Sequence, residues 1–128
     1  MNTKLLMTSS SIVLGLAGIF ALFSPDLLLP TQAAGTASLL VQLMGALYFS
    51  LALMNWTAKD SAIGGVYARP VSLANFSHFF IGALLLVKYL LSNEFSLTIF
   101  AGTAVYVIFA ACFYWLVFRA TGLKPPAP

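Results

Sequence analysis

Four apolar runs, at about 5–23, 37–56, 71–92 and 95–118, take up most of this chain, and its polar residues gather between them and at their ends. Each run approaches or exceeds the roughly 20 residues that a helix needs to cross about 30 Å of hydrocarbon. The stretches 81–87 and 104–113 lack the period-two alternation of a membrane barrel strand. A bilayer core offers no water to bond the backbone, so helices are the economical solution. The expected fold is all-α: an integral membrane four-helix bundle, up-down-up-down, forming a single domain over 1–128. It has a polar loop at 57–70 and a Pro-rich tail at 120–128.

Composition fixes the solvent. With 61% hydrophobic and 7% charged residues and a mean hydropathy of +0.99, the 128-residue chain lies far from the averages of water-soluble domains. The net charge of +3 adds a direction. Lys4, Lys59, Arg69, Arg119 and Lys124 fall in the amino terminus, the second loop and the carboxyl tail, which four crossings put on one side. Lys88 is the exception, and Asp26 and Glu94 fall in the other two loops. By the positive-inside rule both termini face the cytoplasm, and a bacterial inner membrane is the expected location. The basic excess is thus a topology signal. It is not a nucleic-acid surface; a surface for anionic lipid headgroups is the secondary reading, because the usual cluster of basic residues is absent.

The first run, with Lys4 ahead of it and small residues near 31–33, also has features of a cleaved secretory signal. Its apolar part is longer than a signal core, and Pro25 to Pro30 intervenes before any cleavage site, so a retained span is expected. Ser11, Gly15 and Gly18 place small residues on one face of it, where another helix can come close. Pro25 and Pro30 bracket a short Leu-rich interfacial segment that turns through 31–35. Span 2 carries Gln42 near its outer end, Tyr48 and Asn55 on one face, and Trp56 at the interface. In the loop, Gly64-Gly65 allows a turn, Pro70 biases Arg69 toward extended geometry, and Pro70 can itself open span 3. Span 3 aligns Asn75, His78 and Gly82 on one stripe, with Lys88 placed to snorkel outward. Asn93-Glu94 makes a tight turn into an aromatic-rich span 4 containing Tyr106, Phe109, Phe113, Tyr114, Trp115 and Phe118.

This topology puts Thr8 to Ser11, Asn55, Asn75, His78 and Tyr114 to Arg119 at one level, the cytoplasmic third of the spans. Polar groups at membrane depth are costly unless paired or wetted. Three readings follow. The polar side chains bond one another as interhelical glue, at about 1 kcal/mol or less per contact. Alternatively they line a small cavity open to the cytoplasm, with His78 and Asn75 at its base and Arg69 or Arg119 at its mouth; Asn55, Tyr48 and Tyr114 complete the candidate ligand-binding set. The third reading is contact with lipid headgroups.

The chemistry is bounded by counting. One histidine excludes bis-histidine haem ligation within the chain, and no span holds a carboxylate to complete a zinc site. The single Cys112 excludes an internal disulfide and reads as a packing residue. Asp60 is the one acid near His78, it reads as a solvated loop pair with Lys59, and no nucleophile elbow exists. The expectation is an accessory protein without catalysis, cofactor or metal. It would bind a small apolar or amphipathic ligand or a membrane protein partner; a homo-oligomeric transporter or channel subunit is the alternative.

Leu22-Phe23-Ser24-Pro25-Asp26, Gly45-Ala46-Leu47-Tyr48, Asn55-Trp56, Arg69-Pro70 and the stretch from Asn75 to His78 resemble, in order and spacing, the small bacterial four-helix membrane proteins grouped with DoxX. The resemblance implies a four-helix membrane bundle and carries no activity or ligand. A dithiol redox role discussed for DoxX relatives would lack its second cysteine here.

Overall fold

The computed structural model describes residues 2–29, 35–60 and 68–118. The expected turns at 31–34 and Gly64-Gly65, the residue Arg119 and the tail lie outside these. The described residues form α1 (Thr3–Phe23), a short 3-10 turn (Pro25–Leu27), α2 (Thr36–Ala58), α3 (Ala68–Ser92) and α4 (Leu97–Phe118). All four α-helices are long and apolar enough to cross a membrane. The chain is an all-α integral membrane protein, as its apolar runs require. It divides into two compact units, residues 1–61 and 62–128, each built on one helical hairpin.

In the first unit, α1 starts where the Asn2 side chain accepts from the Leu5 N–H, so a helix-end donor that has no partner within the helix is satisfied. It ends at Ser24, ahead of Pro25, whose ring fits the first position of the 3-10 turn. Leu27, which closes that turn, and Leu28 after it are exposed. α2 begins after Gly35, at a φ of 78° that a side chain would resist.

α1 and α2 are joined by antiparallel rungs whose partners advance along one helix as they retreat along the other. Gln42 Nε2 donates to the Leu22 carbonyl at 3.3 Å. Gly18 then meets Gly45 so closely that a Cβ on Gly18 would lie 2.8 Å from the Gly45 oxygen and from the Phe49 nitrogen. Ser11 Oγ donates to the Ala52 carbonyl at 2.7 Å, and Asn55 Nδ2 donates to Ser10 Oγ at 3.0 Å. Without a hydrophobic drive between helices in lipid, such close backbone approach and interhelical bonding supply the association.

The last rung is an exposed ion pair, Lys4 Nζ to Asp60 at 2.7 Å. The sequence pairs Asp60 with its neighbour Lys59, but Lys59 Nζ lies 3.2 Å from the centre of the Trp56 ring and Asp60 is held by the other helix. The hydrogen bond from Lys4 depresses the Asp60 carboxyl below its usual range; a slight loss of solvent opposes this, and the charges of Lys4 and Lys59 add to it. A depressed folded-state value means the pair's contribution is complete above the ordinary carboxylate range and is lost as pH falls below that range and through the depressed value. The stability difference between the wild-type chain and Asp60→Asn should therefore be small, hold above about pH 5, shrink as pH falls below about 4, and shrink further in salt. Thermal unfolding in detergent at several pH values measures it.

In the second unit, α3 begins earlier than the chain's prolines imply. Arg69 belongs to the first turn of the helix rather than to an extended approach, because Pro70 sits where an N–H has no acceptor to lose. At the far end, Asn93 Nδ2 bonds back to the Tyr89 carbonyl, and the Ser96 carbonyl receives the Phe100 N–H to start α4. The seam between α3 and α4 is aromatic. Phe79, fully buried, stacks on Phe109 at 4.8 Å and on Phe113 at 5.8 Å, and meets Tyr106 edge-on at 5.2 Å.

Candidate functional site

Six of the seven polar candidates lie among the described residues, and Arg119 lies outside them. Asn55 and Tyr48 belong to α2; Arg69, Asn75 and His78 to α3; and Tyr114 to α4. Asn55 is fully buried and donates to Ser10, itself fully buried. Tyr48 is half-buried. The serines at 9 and 10 also donate to carbonyls one turn back, so their hydroxyls are tied to their own helix.

In α3, Asn75 is fully buried and its Nδ2 donates to the Val71 carbonyl at 2.9 Å. His78, half-buried, lies 3.3 Å from the Tyr106 hydroxyl through Nε2. Which partner donates is set by the imidazole tautomer. Gly82 explains how Tyr106 reaches that position: the ring edge of Tyr106 occupies the space where a Cβ on Gly82 would sit. Gly82→Ala should push the ring away from His78. The expected result is loss of the hydrogen-bond signature in the imidazole ¹⁵N spectrum, with about 1–2 kcal/mol of destabilisation from overpacking.

Tyr106 is a partner for His78 that residue type alone does not single out. Its signal was register: Gly82 and Tyr106 stand twelve residues to either side of Glu94, so an antiparallel hairpin turning there sets them side by side. Tyr114, another of the polar candidates, packs with aromatics, 5.9 Å from Phe76 and 5.0 Å from Phe118. Arg69 is exposed in the first turn of α3.

A second feature of this hairpin lies on another face of α3. Helical rotation of 100° per residue sets His78 roughly opposite Phe76, Phe80, Ala83 and Val87. These four, with Leu84 and with Val107, Ala110, Ala111 and Tyr114 of α4, line an open groove of about 410 Å³ whose walls are almost wholly apolar. Ala110 and Ala111 create the space, since larger side chains there would close the gap between the helices. The α3–α4 hairpin thus has a face carrying the His78–Tyr106 pair and a face carrying a shaped apolar groove. Among the described residues no three His, Cys, Asp or Glu side chains cluster to hold a metal.

No protein-family model, curated protein or solved structure matches the chain.

Proposed function

We propose that the chain is a small accessory protein of a bacterial inner membrane, both termini cytoplasmic, that holds one lipid or similar amphipathic molecule and performs no reaction itself. The observation that carries this reading is the groove between α3 and α4. Its volume is within the range of small-molecule sites, and its walls offer dispersion contacts but almost no polar group that could act on a substrate. The polar residues support a non-catalytic role. Asn55 bonds Ser10 and Asn75 bonds its own helix, the work of packing groups, and His78 faces Tyr106 with no described carboxylate in α3 or α4. The placement of the basic residues supports the orientation. The motif resemblance to DoxX-like proteins belongs to the same proposal and contributes architecture only.

Any apolar face in a bilayer is covered by hydrocarbon, so a site is distinguished by retention after extraction. Native mass spectrometry of the detergent-purified full chain should show one retained molecule of lipid mass. Ala111→Phe, which fills the groove from an exposed position, should remove it without changing the oligomeric state. An unliganded spectrum, or a bound molecule indifferent to Ala111→Phe, would sink the reading. Ion or solute flux through reconstituted oligomers would favour a transporter or channel subunit instead.

A further inference from the structure

The groove has an electrostatic continuation at one end. Arg69 precedes Phe76 by seven residues, close to two turns, which places it within about 20° of the same line on α3 and about 10 Å further along the axis. Val87 closes the line at the other end, eleven residues or about 16 Å past Phe76. A cation, a gap and an apolar trough therefore lie in sequence along one face of one helix.

The spacing corresponds to membrane depth. The spanning part of α3, Arg69–Ser92, is 24 residues or about 36 Å long, more than a hydrocarbon core of about 30 Å requires. Its first turn accordingly reaches the polar layer, roughly 5–8 Å thick on each side, while Phe76 to Val87 remain among the acyl chains. Arg69 is exposed, and none of the described ion pairs involves it. Tyr114, which also lines the groove, packs on Phe76. Lys88, the other basic residue of α3, lies at the far end of the helix and cannot serve this mouth.

We propose that the occupant of the groove is an anionic glycerophospholipid of the leaflet that Arg69 reaches, one acyl chain lying along Phe76, Phe80 and Val87 and the phosphate-bearing headgroup held by Arg69. This rests on the ligand-binding reading above and specifies its ligand. Guanidinium recognises phosphate oxygens in a paired, planar geometry, and its single charge favours a headgroup with net negative charge over a zwitterionic one. One basic side chain near an anionic surface corresponds to a preference of about fivefold.

The probes are phosphatidylglycerol and phosphatidylcholine carrying the same photoreactive acyl chain, each added to the detergent-purified full chain, with labelled residues mapped by mass spectrometry. Labelling should concentrate on groove residues such as Leu84 and Val107, with phosphatidylglycerol about fivefold more effective. Arg69→Gln should abolish that preference while groove labelling by both lipids persists; Arg69→Lys should restore part of it. Ala111→Phe should suppress labelling by both. Equal labelling by the two lipids in the wild-type chain, or a preference that survives Arg69→Gln, would overturn the headgroup assignment while leaving an apolar binding site. Labelling spread evenly over all four helices would remove the groove itself.

Discussion

Replacing Gly18 by leucine is expected to separate α1 from α2 and to cost about 3 kcal/mol, near the upper end for overpacking. The reason is what a side chain would strike. The first carbon would lie 2.8 Å from the Gly45 oxygen and the Phe49 nitrogen, both main-chain atoms of the facing helix, which cannot rotate aside. The clash is mutual: a Cβ on Gly45 would stand 2.9 Å from Gly18 oxygen, Leu22 nitrogen and Ala21 Cβ. Relief requires the helices to move apart, and that lengthens the bonds flanking the crossing, Gln42 to Leu22 on one side and Ser11 to Ala52 on the other. Other glycines provide the contrast. A Cβ on Gly15 would meet Ala52 Cβ at 3.5 Å, an ordinary contact, and one on Gly102 would meet nothing within 4 Å. Gly15→Ala and Gly102→Ala should leave the free energy of unfolding within about 1 kcal/mol of wild type, the size of the propensity difference alone. Equal losses at Gly102 and Gly18 would mean that helix propensity, rather than the crossing, sets the stability.

The four spans were legible because twenty-residue apolar runs have one economical structure in lipid. So was the small face of α1: Gly18 and Ser11 do meet a neighbouring helix, and Ser11 bonds its backbone. Helix ends were read less well. Pro70 favours an extended Arg69, a local preference that the first turn of a helix overrides. Partners were read least well, because a pairing such as Asp60 with Lys4, or His78 with Tyr106, joins residues 56 or 28 positions apart. The groove left almost no trace in the chain, since alanines at 110 and 111 look like any other apolar residue until the facing helix is in place. Arg69 gains its meaning the same way: only its rotation about α3 relative to Phe76 ties it to the groove.

Phe79→Ala should have the second large effect, and for the opposite reason. In water, deleting a buried phenylalanine forfeits transfer free energy as well as packing, about 3–5 kcal/mol in total. Inside a bilayer the transfer part nearly vanishes, because lipid tails are as apolar as the core. What remains is dispersion and ring geometry, lost to a cavity that Phe109, Phe113 and Tyr106 can only partly refill. The expected loss is about 2–3 kcal/mol, with Phe79→Leu costing less than half as much. The location of the damage can be read separately. The chain has two tryptophans, Trp56 on α2 and Trp115 on α4, so a W56F or W115F background leaves one reporter per hairpin. Phe79→Ala should alter Trp115 emission first, whereas Gly18→Leu should alter Trp56 emission first. The α1–α2 hairpin fails when something is added to its seam and the α3–α4 hairpin when something is removed. A Phe79→Ala chain of wild-type stability would show that the aromatic stack fills space without holding the helices together.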